Sequence, residues 1–160
     1  MSDKERHDGA SVAEALAAYE EKIGDLYAVY AVKYSRAADL WQSLSSEEYG
    51  HASLLTDLGR SADGAVLFAD KQRFHVPEIV ASRRFVSDQI EVAEATHLSL
   101  VEALESAADL EQQAAEQRAY EVHDGDPENA RRVLDHLRDE SLKHRERILA
   151  RLASLDRSHQ

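Results

Sequence analysis

The chain has 160 residues and contains no cysteine, which excludes disulfides, thiolate zinc sites, iron–sulfur clusters and thiol catalysis. Its 31 acidic residues outnumber the 19 basic residues and give a formal net charge of −12, so we expect neither nucleic acid nor an anionic membrane surface as a partner. The sequence has no apolar run of about 18 residues and no signal-peptide pattern, so we expect a cytoplasmic protein.

Composition favours an all-α fold in a single domain. Alanine, leucine and glutamate are abundant, and all three are strong helix formers. Two prolines and six glycines leave few places at which a helix must break.

The first predicted long helix follows a polar stretch, residues 1–10, which we expect to form a disordered N-terminal tail. Ser11 and Glu14 have the spacing of a capping box, so the helix is predicted to begin at Ser11. A change of phase near Ser35 marks its end. Its apolar stripe steps by three and four residues and comprises Leu16, Ile23, Tyr27, Tyr30 and Tyr34.

The second predicted long helix covers residues 37–58, and Gly59 has the position of a C-cap glycine. Its apolar stripe comprises Trp41, Leu44, Leu55 and Leu58. A weakly patterned connection is expected over residues 65–75. A short helix is then predicted from Pro77, a residue favoured in first turns, to about Ala95. Its apolar side comprises Ile79, Phe85, Val86 and Ile90.

The third predicted long helix begins at a second capping box, which Ser99 and Glu102 form. It extends to about Val122. Its apolar stripe comprises Val101, Leu104, Ala108, Ala115 and Val122.

The fourth predicted long helix has Asp126 as its N-cap and Pro127 as its first residue. It ends near Leu155, before a short tail over residues 157–160, and its apolar face comprises Val133, Leu137, Ile148 and Leu152. Two antiparallel helix pairs joined by a crossover of about 40 residues form a four-helix bundle with one long connection. The bundle is expected to span residues 11–156.

Each of the four long helices carries one glutamate on its apolar stripe, near the middle of the helix: Glu20, Glu48, Glu111 and Glu140. The separation is 28 residues in the first pair and 29 in the second. About one turn after the second glutamate of each pair comes a histidine, His51 or His144. Carboxylates buried without compensation are costly, and two divalent cations would neutralise four of them. This is the ligand arrangement of di-iron and di-manganese carboxylate bundles.

Any one of these glutamates could also be a surface residue, if the phase of its helix has been misassigned. The metal-site hypothesis therefore depends on all four glutamates and both histidines together. Glu21 and Glu47 fall about 100° off the stripes and are interpreted as surface residues. Glu94 with His97 has no matching partner helix and is interpreted in the same way. Glu116 would reach the site only through a local bulge of its helix and is interpreted as a surface residue.

Tyr27 lies two turns beyond Glu20 on the same face. It either packs in the core with its hydroxyl bonded nearby or has a role beside the metal site. In the fourth helix the histidine follows the glutamate by four residues instead of three, and residues four apart share a helix face. His144 is therefore predicted as the second nitrogen ligand, whereas His136, at the flank of the stripe, is not.

Four segments carry these residues: 19–27, 41–52, 103–111 and 137–144. The second is the most specific and reads Trp-Gln-Ser-Leu-Ser-Ser-Glu-Glu-Tyr-Gly-His-Ala. Together they resemble the rubrerythrin branch of the ferritin-like superfamily, and the resemblance extends over residues 13–152.

The resemblance implies a ferritin-like bundle with a non-haem di-iron site that reacts with oxygen or peroxide as a ferroxidase, oxidase or peroxidase. Tyr27 is then the candidate catalytic residue, and manganese is an alternative to the two iron ions. The ligands implied by position are Glu20, Glu48, His51, Glu111 and Glu140, and His144 is added from the helix geometry.

Two departures from that family matter. Rubrerythrins carry a cysteine-rich rubredoxin domain that delivers electrons, whereas this chain needs a separate donor protein or Fe²⁺ itself. The irregular spacing in the fourth helix favours an alternative, a ferritin-like scaffold or metal-binding bundle without redox turnover. A homodimer is expected because most oligomers of this kind are dimers.

Overall fold

The computed structural model describes the backbone of residues 3–70 and 72–158, and the side chains of residues 12–70, 72–119 and 121–156. Over these residues the fold is all helical, as predicted. The helices are α1 (Asp3–Lys33), α2 (Ala38–Arg60), α3 (Ala62–Leu67), α4 (Val76–Ala95), α5 (Leu100–Glu121) and α6 (Glu128–Ser158). A short 3-10 helix, Ser35–Ala37, joins α1 to α2. No described helix has the length and apolar character needed to cross a membrane.

Two helical hairpins form the bundle. In the first, Ala13 lies against Gly59 and the Ser45 hydroxyl donates to the Gly24 carbonyl over 2.8 Å, so α1 and α2 are antiparallel. In the second, α5 packs against α6, and α2 contacts α6 across the bundle. The crossover helix α4 packs on α1. The arrangement leaves the middles of the four long helices facing one another.

Aromatic residues fill the core on one side of these mid-helix positions. Trp41 lies 5.4 Å from Tyr27 and 4.8 Å from Tyr30, measured between ring centroids, and all three side chains are fully buried. Burying a large apolar side chain stabilises a fold by about 1.5–3 kcal/mol. This cluster therefore fixes α1 against α2 close to the glutamates of both helices.

Gly59 does not have the predicted role of a C-cap glycine. Helix α2 continues to Arg60, and no residue in the described ranges has a positive φ. A Cβ atom on Gly59 would lie 2.4 Å from the Ala13 Cβ, which is far below van der Waals contact. Glycine is needed here because α1 and α2 approach each other closely, and not because the helix ends.

The crossover contains more helix than predicted. The expected connection begins within α3, whose N-cap Ser61 accepts a hydrogen bond from the Gly64 amide over 3.0 Å. Helix α4 (Val76–Ala95) has Pro77 in its first turn and ends at Ala95, as predicted, and it is one residue longer than expected. Phe85 was expected on its apolar side, yet it is 51% exposed because α4 lies on the outside of α1. Val101, expected on the stripe of α5, is also exposed.

The ends of the outer helices differ from the sequence-based boundaries. Helix α1 begins at Asp3 instead of Ser11, so residues 3–10, expected in the tail, are helical. This segment has no proline and contains good helix formers, so nothing in it forces the helix to end. Helix α6 extends past Leu155 to Ser158. The first two and last two residues of the predicted tails lie outside the described ranges.

The α5–α6 turn is tied to the crossover. The Asp126 carboxylate accepts a hydrogen bond from the His123 amide over 2.8 Å and forms an ion pair with Arg73. Helix α6 begins at Glu128, one residue after the predicted start at Pro127. Ser99 of the second predicted capping box is confirmed as the N-cap of α5, since its hydroxyl accepts a hydrogen bond from the Glu102 amide over 3.1 Å.

Candidate metal centre

The structure brings the six predicted ligands together between the four long helices. Their carboxylate oxygens and ring nitrogens form three overlapping groups, and within each group the atoms lie within 4.8 Å of one another. The three groups are Glu20–Glu48–His51, Glu48–Glu111–His144 and His51–Glu140–His144. Five of the six residues are at most 5% exposed, and Glu140 is half-buried. These groups could each hold a metal ion.

Glu48 occupies the centre of the cluster. Its Oε1 lies 2.9 Å from Nδ1 of His144, and its Oε2 lies 3.3 Å from Nδ1 of His51. The two imidazole rings are stacked, with centroids 5.3 Å apart and planes inclined by 16°. Glu48 also belongs to two of the three groups, so one carboxylate can serve two neighbouring ions.

Glu111 closes the opposite side. Its Oε1 accepts a hydrogen bond from the Tyr27 hydroxyl over 2.8 Å and lies 3.2 Å from Nδ1 of His144. Its Oε2 is buried and has no hydrogen-bond partner among the described residues. A buried carboxylate oxygen without a partner is costly for a structural residue and suits a ligand atom.

The charge state of the cluster follows from its burial. Burial, reinforced by the carboxylates of Glu111 and Glu20, raises the pKa of Glu48 well above its ordinary value. When no cation is bound, the Glu48 carboxyl therefore keeps its proton to a higher pH than a solvent-exposed glutamate does. A cation bound in the cluster would displace that proton, because it would supply positive charge that offsets the carboxylates.

The two histidines differ. Burial alone would lower the pKa of His144, but its hydrogen bond with Glu111 and the charge of that carboxylate raise the pKa above its ordinary value. Burial lowers the pKa of His51. The Nδ1 atom of His144 faces one carboxylate oxygen of Glu48 and one of Glu111. The space between these three atoms, which suits a proton on Nδ1, suits a metal ion equally well.

Arg118 is a member of the site that the sequence analysis missed. Its side chain is 1% exposed, and it forms ion pairs with Glu20 over 3.1 Å and with Glu121 over 2.7 Å. Burial opposes the guanidinium charge, but Glu121 and Glu20 raise the pKa of Arg118 above its ordinary value. The signal was its position seven residues after Glu111, which places both on one face of α5.

Arg118 also favours the ionised form of Glu20. Burial opposes ionisation of this carboxyl, but the hydrogen bond with Glu48 and the Arg118 guanidinium outweigh it and lower the pKa of Glu20 below its ordinary value. Glu20 therefore loses its proton at a lower pH than Glu48 does, and the proton of this carboxyl pair is held by Glu48 in the metal-free protein.

The remaining candidates lie at the edge of the cluster or outside it. Glu140 forms an ion pair with the exposed Lys143 over 3.5 Å. Glu47 is partly exposed, pairs with Arg147, and approaches Nε2 of His144 to 3.8 Å. His136 is exposed, with its ring centroid 6.4 Å from that of His51. The other surface interpretations fit the structure, in which three further side chains are exposed: Glu94, His97 and Glu116.

Comparison of the chain with protein-family models, with curated proteins and with solved structures finds no match.

Proposed function

We propose that this chain is a rubrerythrin-like member of the ferritin-like di-iron carboxylate proteins. In this proposal it binds two iron ions, or manganese, and reacts with oxygen or peroxide as a ferroxidase, oxidase or peroxidase in the cytoplasm. The observation that carries the proposal is the meeting of four carboxylates and two imidazoles from four helices in one buried cluster. Hard carboxylate oxygens combined with imidazole nitrogen suit iron and manganese.

The donor set fits two ions. Glu20, Glu48 and His51 would hold one, and Glu48 would share its carboxylate with a second ion held also by Glu111 and His144. Glu140, which lies within reach of both imidazoles, would complete the coordination. The unpartnered Oε2 of Glu111 provides a ligand atom that no protein group uses.

When bound, two ferrous ions would together supply the two electrons that, with two protons, reduce one molecule of hydrogen peroxide to two molecules of water. The surrounding residues orient the ligands and hold protons. Burial and the charge of Glu111 raise the pKa of Tyr27 well above its ordinary value. Its hydroxyl therefore stays protonated, donates to Glu111 and fixes that carboxylate. The chain has no cysteine, so reducing equivalents would come from a separate donor or from further Fe²⁺.

A metal titration tests the proposal. Protein loaded with Fe²⁺ without oxygen and then desalted should retain two ions per chain by mass spectrometry. Glu48→Ala should lose most of the metal and keep its helical circular dichroism, because Glu48 serves both ions. Glu116→Gln, an exposed carboxylate on α5, is the matched control and should retain both ions. Retention of two ions by Glu48→Ala would overturn the assignment.

A second candidate function is a metal-binding scaffold without redox turnover. The ion pairs of Glu20 with Arg118 and of Glu140 with Lys143 favour it, because both carboxylates already have a cationic partner. Mixing the ferrous-loaded protein with one equivalent of hydrogen peroxide separates the two. The redox protein oxidises both ions within the mixing experiment, as followed by ferric near-ultraviolet absorption. A scaffold leaves them ferrous or reacts no faster than free Fe²⁺.

A further inference from the structure

Two side chains next to the cluster occupy reciprocal positions but have different chemistry. Tyr27 lies seven residues after Glu20 on α1 and donates to Glu111 on α5 over 2.8 Å. Arg118 lies seven residues after Glu111 on α5 and donates to Glu20 on α1 over 3.1 Å. Each helix therefore contributes one glutamate and, two turns farther on, the residue that bonds the glutamate of the other helix.

The difference between the two donors is one of charge. The Tyr27 hydroxyl is neutral, whereas the guanidinium carries a permanent positive charge in a site where water does not screen it. Both donors are buried, at 0% and 1% exposure. A cation bound by Glu20 would lie beside a fixed positive charge, and a cation bound by Glu111 would lie beside a phenol.

Glu121 reduces the repulsion between Arg118 and a cation bound by Glu20, but it does not remove it. Its carboxylate pairs with Arg118 over 2.7 Å, through a different guanidinium nitrogen from the one that donates to Glu20. Glu121 lies three residues beyond Arg118 on α5, so its carboxylate is farther along the helix from Glu111 than the guanidinium is. The guanidinium thus stands between Glu121 and Glu20.

We infer that Arg118 makes the two metal positions unequal, so that the ion at Glu48–Glu111–His144 binds first and the ion at Glu20–Glu48–His51 binds more weakly. The inference rests on the proposed two-ion centre and deepens it. Arg118 is a positioning residue in this account, because it acts through Glu20 and does not itself coordinate the ion. The weaker position would be the exchangeable one.

Calorimetric and visible-absorption titration with Co²⁺ tests this inference on the full chain. The wild-type protein should show two binding steps whose dissociation constants differ by about tenfold or more. Glu111→Gln should weaken the tighter step, and Glu20→Gln should weaken the looser one. Both substitutions keep the shape of the side chain. A wild-type protein that binds two ions with equal affinity would overturn the inference and leave the proposed function standing, whereas no Co²⁺ in the core would contradict both.

Variants of the ion pair give the direction of the effect. Arg118→Tyr, which places at this position the residue found at the reciprocal one, should tighten the weaker step and bring the two constants together. Arg118→Lys keeps the charge and should preserve the difference. Equal effects of the two substitutions would show a merely structural role and overturn the inference.

Glu121→Gln provides an independent test of the inference if the Arg118→Tyr variant does not fold. Glu121 is outside all three donor groups, and its neutralisation leaves the charge of Arg118 directed at Glu20 alone. The weaker step should then become weaker still, while the tighter step stays unchanged. An unchanged or tightened second step in Glu121→Gln would contradict the inference.

Discussion

The hydrogen bond between Tyr27 and Glu111 links the aromatic core to the cluster, and its removal should lower the stability of the metal-free protein. Tyr27→Phe deletes only the hydroxyl of a fully buried side chain whose oxygen lies 2.8 Å from Oε1 of Glu111. Glu111 then keeps one hydrogen bond, from His144, and its Oε2 already has no partner among the described residues. The substitution leaves a buried carboxylate less well satisfied.

The magnitude follows from the type of bond. A hydrogen bond to a charged group contributes about 1.5–3 kcal/mol. In a domain of this size 1 kcal/mol shifts the melting temperature by about 2–4 °C, so Tyr27→Phe should lower it by about 3–12 °C. With metal bound the loss should be smaller, because a cation compensates the same carboxylate.

Tyr30→Phe is the matched control for this experiment. Tyr30 lies on the same helix three residues on and is also fully buried, but its hydroxyl has no hydrogen-bond partner in the described protein. Deleting that hydroxyl should change the free energy of unfolding by less than about 1 kcal/mol. Thermal unfolding of both variants in chelator, followed by circular dichroism, gives the comparison. Equal losses for the two would refute the role assigned to the Tyr27 hydroxyl.

Three further predictions concern the cluster and the helix contact that supports it. Because burial and neighbouring carboxylates raise the pKa of Glu48, the folded metal-free protein binds a proton that the unfolded chain releases. Its melting temperature in chelator should therefore fall as the pH rises from about 5 to 7.5, and Glu48→Gln should reduce this dependence. Gly59→Ala should destabilise the fold by about 1–3 kcal/mol through the clash at the α1–α2 contact, whereas Gly50→Ala on the same helix, with open space around its Cβ position, should stabilise it by about 0.5–1 kcal/mol. His144→Ala should lose one of two bound metal ions, and His136→Ala should retain both, as counted by mass spectrometry.

Each of these has a result that would count against it. The raised pKa of His144 acts in the same direction as that of Glu48, and the lowered pKa of His51 acts against both. A melting temperature that rises steadily from pH 5 to 7.5 would therefore contradict the assignment of a buried proton to Glu48. Equal responses of the two glycine variants would contradict the close helix contact, and metal loss only in His136→Ala would reverse the histidine assignment.

Composition was sufficient to predict the all-α fold, and helical periodicity was sufficient to predict that the six site residues lie close together. The four glutamates were visible because each interrupts an apolar stripe, and a stripe on a long helix faces the core. The same periodicity placed Glu116 and His136 away from the stripes, and both side chains are exposed in the structure. Local pattern alone could thus specify which residues meet, because the helices are long and their phase is strict.

The errors came from contacts between residues far apart in sequence. The local sequence around Gly59 predicts a helix end, whereas the glycine is needed because Ala13 of α1 lies against it. Arg118 was not among the predicted residues, because its partner Glu20 lies 98 residues away along the chain. Phe85 fits an apolar stripe, but periodicity does not say that α4 packs outside α1. Tertiary packing decided all three.

The central claim is that the four-helix cluster is a two-metal centre, and anomalous diffraction from crystals of the iron-loaded protein tests it most directly. The account predicts two iron peaks in the core, one among Glu20, Glu48 and His51 and the other bounded by Glu111 and His144, with Glu48 between them. Iron confined to surface carboxylates, or a core without an anomalous peak, would contradict it.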